Sequence, residues 1–555
     1  VKQRVQDLIQ EGDNLFSKRS GLMSLWQETA LQFYPIRADF TSSHTDGEEY
    51  AAHLMTGRPA LAHRELSNAV SSMLRPKDTP WFHARTEDES INSDARAKQY
   101  LDQKAEIMRR VMYDRRAQFV STTKQGDNDF IAFGQCVISI EPNRYLDGLL
   151  FRPWHLRDVA WCENAEREID VVHRKSDFEA RTLMRLFPKT VHKNVEKLAK
   201  KEPYKEVKCR HIVVPAEQYD YGADQEGKKV NRERFPFVSI TVDVENQCIL
   251  EEVPRKRLGY IIPRWVRPSN SQYAHSLATY IALPDARLLQ RITLTLLEAG
   301  EKAVDPPLKA TKEAITGAVN TFAGGITWVD EEYDEKMGKA LEALMDPPNL
   351  NFGIDREQRI SEMIAEAFYL NKITLPDLSD GKMTAFEVQK RMEEFIRGAL
   401  PLFEPMEVEY NGALCEETFE SCMDLGIFGP MDDIPPILSE RKLRWQFESP
   451  LQAATERAKS QAFVQSMNLL KIAMEVDPGA VHDFNVSKGL RAALLGSGSP
   501  ADWIPSEEEA AAGRESDQQA AMLRQAAEAG AIGGDVAGKV GQGIQSLQAA
   551  AAGPA

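Results

Sequence analysis

Between about residues 131 and 265 the sequence changes period. On either side apolar residues recur at helical spacing. Within it they come as short β-branched runs: Cys136-Val137-Ile138-Ser139-Ile140, Ile169-Asp170-Val171-Val172, His211-Ile212-Val213-Val214, Val238-Ser239-Ile240-Thr241-Val242 and Gly259-Tyr260-Ile261-Ile262. Runs of this kind, punctuated by Pro, Gly and Asn/Asp clusters, read as strands. One helix, about 176–187 with Phe178, Leu183, Leu186 and Phe187, interrupts them. A strand-rich region set between helical ones makes the expected fold α+β, mainly helical, with a largely antiparallel sheet.

The helical stretches have clear bounds. Residues 1–35 read as helix up to Pro35, a second helix follows Arg58-Pro59 and ends before Pro76, and a charged third one spans about 92–124. After Pro263, Pro284 suits a first helical turn. Leu289, Ile292, Leu296, Ala299 and Ala303 follow it at spacings of 3, 4, 3 and 4, a short coiled-coil-like seam that Pro306-Pro307 ends. Gly324-Gly325, a short strand with Trp328, and Pro347-Pro348 come next. A further helix, about 353–370, has Ile360, Met363, Ile364, Ala367 and Phe368 on one face. The polar loop 371–383 carries Asn371, Lys372, Asp377, Asp380 and Lys382. Thr384 and Glu387 then form a capping box for a long amphipathic helix through Val388, Met392 and Phe395. Ser449-Pro450 opens another helix, and beyond Trp503 the chain is Ala-rich without aromatic residues, either a helix needing partners or disordered.

Composition narrows function mainly by exclusion. With 68 basic and 84 acidic residues the net charge is −16, which argues against a generic protein that coats nucleic acid through a basic footprint. No run of 18 uncharged apolar residues offers a membrane span, and no apolar h-region follows Val1-Lys2-Gln3-Arg4. The six cysteines form no C-x-x-C pair; Cys415 and Cys422 share a helical face and read as small buried side chains. No phosphate-loop, H-E-x-x-H or G-x-S-x-G motif is present, so no catalytic residue, metal ligand or cofactor is expected.

Seven segments, in order, carry a resemblance: Leu25-Trp26-Gln27-Glu28 through Tyr34-Pro35; Glu65-Leu66-Ser67-Asn68 through Pro80-Trp81-Phe82; Tyr260-Ile261-Ile262-Pro263-Arg264-Trp265; Leu283-Pro284-Asp285 with Val304-Asp305-Pro306-Pro307; Gly324-Gly325-Ile326; Lys382-Met383-Thr384-Ala385-Phe386-Glu387-Val388; and Ser449-Pro450-Leu451. Together they resemble the head-to-tail connector, or portal, proteins of short-tailed bacteriophages over about residues 20–475. Tyr273-Ala274-His275-Ser276-Leu277 departs from that pattern, which has Gly after the Tyr and Pro after the Ser. The resemblance implies a ring of about twelve identical subunits around a channel for double-stranded DNA at one capsid vertex of the virion. Its implied partners are the terminase motor, scaffolding and major capsid proteins, and the tail adaptor and core proteins.

The same resemblance divides the chain into a wing (1–282), a first stem helix (283–303), a clip (304–352), a second stem helix (353–370), a tunnel loop (371–383), a long helix returning to the wing (384–448), a crown (449–500) and a tail (501–555). Small residues along 289–303 suit close approach of neighbouring helices in a ring. Between 330 and 366 there are 11 acids and four bases; they read either as a channel wall that repels DNA or as ordinary solvated and ion-paired faces. The loop 371–383 is either a DNA-contacting loop or a plain connector, long for that role. Trp328 is either an aromatic anchor for the adaptor or a core residue of its hairpin.

Overall fold

A computed structural model describes residues 2–45, 47–77, 80–92, 94–219, 232–304, 308–310, 319, 341–343, 351–373, 406–430, 434–438 and 443–447, with short pieces between 463 and 494. Two compact units divide the chain, Val1–Ile91 with Ala97–Leu451, and Asn92–Arg96 with Gln452–Ala555. The described residues belong almost entirely to the first.

Helices α1 (Lys2–Lys18) and α2 (Ser20–Phe33) occupy the stretch expected as one helix. The break falls at Arg19, which is buried and donates to the carbonyls of Leu156 and Val159, both at 2.6 Å. Helix α3 (Arg58–Leu74) lies where the second helix was expected. The third is split into α4 (Glu89–Asn92), α5 (Ala95–Met112) and α6 (Phe119–Phe133). Two local features cause the last break: the Asp114 carboxylate accepts from the Arg116 N–H at 2.7 Å, and Gln118 takes a left-handed φ of 59°. Gly134 ends α6 at φ 77°, and a Cβ there would stand 2.2 Å from the carbonyl carbon of His275. The absent side chain lets the 275–276 backbone lie directly on the end of α6.

The strands are β1 (Phe82–Thr86), β2 (Val137–Pro142), β3 (Leu149–Trp154), β4 (Val159–Glu163), β5 (Ile169–Glu179), β6 (Glu206–Pro215), β7 (Phe237–Asp243), β8 (Cys248–Arg255) and β9 (Tyr260–Ile261). All their pairings are antiparallel, as expected. β4 to β8 form a five-stranded sheet in sequence order, and β3-β2-β9 a three-stranded one. β5 runs on to Glu179 because Phe178 and Glu179 pair with Val207 and Glu206. The helix expected from 176 therefore starts only at α7 (Ala180–Leu186), and α8 (Lys193–Lys201) follows it.

Strand alternation divides the buried residues between two faces. Val171, Ile212 and Val214 pack with Val5 and Leu8 of α1. Val172, Val213 and Trp161 pack with Trp26 and Ala30 of α2 and Phe133 of α6. The sheet is thus covered by helices on both sides.

The chain then returns to helix: α9 (Leu277–Val304), a short pair β10 (Leu308–Ala310) and β11 (Leu341–Ala343), α10 (Asn351–Ala367) and α11 (Leu370–Ile373). A π-turn (Glu407–Gly412) leads into α12 (Ala413–Asp424), and β12 (Leu443–Phe447) pairs with β1. Cys415 and Cys422 are both fully buried on α12, as expected.

The π-turn is held from two sides. Asn411 accepts from Arg75 Nη1 at 2.7 Å and donates to the Leu74 carbonyl, and Arg75 also pairs with the buried Asp127. Glu409 accepts from the Arg264 N–H and pairs with Arg267 at 3.1 Å.

Candidate functional site

The expected stem segments meet in the pair α9 and α10. Ser276 caps α9, its Oγ accepting from the Thr279 N–H at 3.3 Å, while the Thr279 hydroxyl donates to the Ala132 carbonyl at 2.8 Å. Ala278, Ala282, Leu283, Ala286 and Leu289 recur on one face and enter the main core. Small residues at 278, 282 and 286 let the helix approach that core closely. Pro284, expected in a first turn, lies well inside α9; it removes one helical hydrogen bond, and the burial on either side of it keeps the helix continuous.

Two polar clasps fix the root of α9. Gln290 Oε1 accepts from the N–H groups of Met55 and Thr56 at 2.7 and 3.0 Å, and its Nε2 donates to the Thr56 carbonyl at 2.9 Å. Arg287 pairs with Glu28 through both its Nε and Nη2.

Helix α10 is anchored through Ile360, Ile364 and the following Phe368, all buried, and Phe368 lies against Phe33 with ring centroids 5.3 Å apart. Met363, expected on the same face, is exposed. Toward the far end the two helices hold each other. The Thr293 hydroxyl donates to Glu357 Oε1 at 2.7 Å, and Leu296 rests on Gly353, where a Cβ would stand 2.4 Å from Leu296 Cδ2.

The expected seam is therefore contacted from within the chain at three of its positions. Leu289 is core, and Leu296 meets α10. Ile292 is half-buried against the same core, and Ala299 and Ala303 are half-buried. Other apolar residues of α9 are left uncovered: Ile281 and Leu288, and further along Leu294, Leu297 and Val304, the last 88 % exposed. At about 100° per residue, Ile281 and Leu288 fall on one flank of the α10-facing side, and Leu294, Leu297 and Val304 on the opposite flank. Sequence reasoning missed these flanks. The available signal was the doublets Leu288-Leu289 and Leu296-Leu297, in each of which one Leu turns inward and the other outward.

On α10 the acids Asp355, Glu362 and Glu366 are exposed, with Arg356 and Arg359 among them. Asn371 is exposed on α11, and Lys372 belongs to that same short helix, so the expected loop begins helical. Asp377, Asp380 and Lys382 lie outside the described residues, as do the Thr384–Glu387 capping box and Trp328. Among the described residues no group of three or more His, Cys, Asp and Glu could hold a metal ion, and no helix is long and apolar enough to cross a membrane.

Comparison with known proteins bears on the whole of this arrangement. The family model described as "Bacteriophage head to tail connecting protein" matches residues 5–504. The chain belongs to the bacteriophage head-to-tail connecting proteins. Its relatives include a "Probable portal protein" of Bordetella phage BPP-1, 22 % identical over 547 residues, covering 95 % of each chain. A "Portal protein" of Salmonella phage epsilon15 is 20 % identical over 535 residues, 95 % of this chain and 93 % of that one.

The match takes in more of this connector than the segments first noticed, reaching beyond Ser449-Pro450-Leu451 to residue 504. At the departing segment 273–277, the His275 N–H donates to the Val266 carbonyl at 2.9 Å and Ser276 caps α9. The Ser276 cap thus opens α9 without the Pro expected after it from the resemblance.

Proposed function

We propose that this connector is the portal of its phage, a ring of about twelve copies at one capsid vertex through which double-stranded DNA enters and leaves the head. The supporting observation is the family match over residues 5–504 together with a stem-like helix pair that has apolar residues uncovered on two opposite flanks. A ring closed by rotation needs two different complementary surfaces on every subunit, whereas a two-fold dimer needs one. In this reading α9 meets its own α10 and one neighbour on each flank. Of the expected seam, Leu289 and Leu296 are then taken up within the subunit, and the neighbours meet the Ile281/Leu288 flank, on which Ile292, Ala299 and Ala303 also fall, and the Leu294/Leu297/Val304 flank.

The exposed acids of α10 suit a wall that DNA does not grip, since neutralising phosphates produces salt-sensitive attachment. Asn371, Lys372, Asp377, Asp380 and Lys382 would supply the weak DNA contacts. The clip around Trp328 would carry the terminase and then the tail adaptor. Scaffolding, major capsid and core proteins complete the partners, and the protein's work is assembly and conduction, without catalysis, in the virion. Light scattering on the purified full chain tests the reading. A mass near twelve subunits is expected; a monomer or two-fold dimer at assembly concentrations contradicts it.

A further inference from the structure

The turn between β2 and β3 is built more firmly than a plain connector requires. Asn143, itself buried, accepts through Oδ1 from the N–H groups of Tyr145 and Asp147 at 3.0 and 3.2 Å, and donates through Nδ2 to Asp147 Oδ1 at 2.6 Å. Backbone bonds from Asn143 N–H to Gly148 and from Leu146 N–H to Asn143 close the same turn at 2.8 and 3.1 Å. Arg116 then ties it to the turn after α5 by pairing with Asp147 at 3.2 Å.

What this frame presents is apolar and aromatic. Tyr145 is 69 % exposed and Leu146 66 %, and Leu146 is held at φ 57°, a conformation that a bulky side chain rarely adopts. Cations lie close by in the chain: Arg144 precedes Tyr145, and Arg115 precedes the Arg116 that pairs with Asp147. Arg115 and Arg144 are exposed and make no ion pair with any described residue, while the two acids at hand, Asp114 and Asp147, are engaged by Arg116. A fixed Tyr and Leu beside free arginines is the chemistry of an interface anchor.

We infer that this tip docks on a second copy of the same chain, against an apolar surface rimmed by carboxylates. The choice of occupant rests on charge. Each chain carries a net −16, so a basic tip on one copy is complementary in charge to the predominantly acidic surface of the next. The inference rests on the ring reading above and adds a contact outside the stem.

The test uses full-length protein with Tyr145→p-benzoylphenylalanine, and a parallel sample with the photoreactive residue at Leu297 on the stem flank. Irradiation of the purified chain alone should join two or more chains from either position. Joining from 297 and not from 145 in an assembled sample would overturn the tip contact while leaving the ring reading intact. An unassembled wild-type sample would overturn both. Joining from 145 only when DNA or another virion protein is added would assign the tip to that partner and overturn the self-contact.

Leu146→Gly provides a second readout, because glycine adopts positive φ without strain and the turn should survive it. Its association should weaken about tenfold with unchanged thermal stability. Arg115→Glu combined with Arg144→Glu should weaken association at low salt, the difference fading near 1 M salt, where screening acts within about 3 Å. Unchanged association in both variants contradicts the inference.

Discussion

Single residues set both the joints of this molecule and its response to acid. His63 of α3 is fully enclosed, stacked on Tyr34 with ring centroids 5.1 Å apart, and its Nε2 lies 2.9 Å from the Asn128 carbonyl, to which it donates. Burial pushes the imidazole down from 6.5 to about 4. His155 is likewise pushed down to about 3, first by burial and then by Arg37 and Arg157. Below pH 6.5 the unfolded chain takes up protons that the folded one refuses, so stability is present above 6.5 and is lost as the pH falls toward 4. For His63 the loss at pH 5 is about 2 kcal/mol. His63→Gln keeps a donor for Asn128 and removes the titration. Its urea midpoint should fall measurably less than wild type between pH 7.5 and pH 5; an equal fall would mean that His63 is not held neutral.

The elements show why some of the fold was legible in the sequence and some was not. β2, β6 and β7 were readable because Val and Ile dominate them. β8 was hidden because Cys248–Arg255 contains Glu251, Glu252 and Pro254 and is fixed by its pairing with β7, a long-range fact. The break between α1 and α2 depends on carbonyls near residue 156, far away in sequence, that capture Arg19. Pro284 misled because local propensity disfavours it inside a helix, whereas the burial of Ala282, Leu283 and Ala286 outweighs the lost bond.

The doublet Leu296-Leu297 separates the two sides of α9 by experiment. Leu296→Ala removes the contact on Gly353 and should lower stability by about 2 kcal/mol while the assembly remains. Leu297→Asp alters an exposed position, so the fold should change by roughly 0.5 kcal/mol or less. In the assembly the new charge would be buried unpaired, costing several kcal/mol per interface and leaving monomers. Thermal melts and light scattering on both variants check this, and the reverse pattern would place the neighbour on the Leu296 side.

At the scale of the whole molecule, the proposed ring would make the acidic balance, the helix pair and the segment 371–383 parts of one conduit. An acidic bore would keep DNA mobile, and Lys372 and Lys382 would add basic points screened over about 8 Å at physiological salt. Lys372→Ala with Lys382→Ala should leave assembly unchanged and reduce packaged or retained genome; a normal genome yield would make the segment a mere connector. The central proposal is the ring itself, and negative-stain imaging of the purified full chain tests it most directly. Round particles with a central hole and about twelve-fold symmetry are the expected result. Compact particles without a hole, at concentrations where the protein is associated, would contradict it.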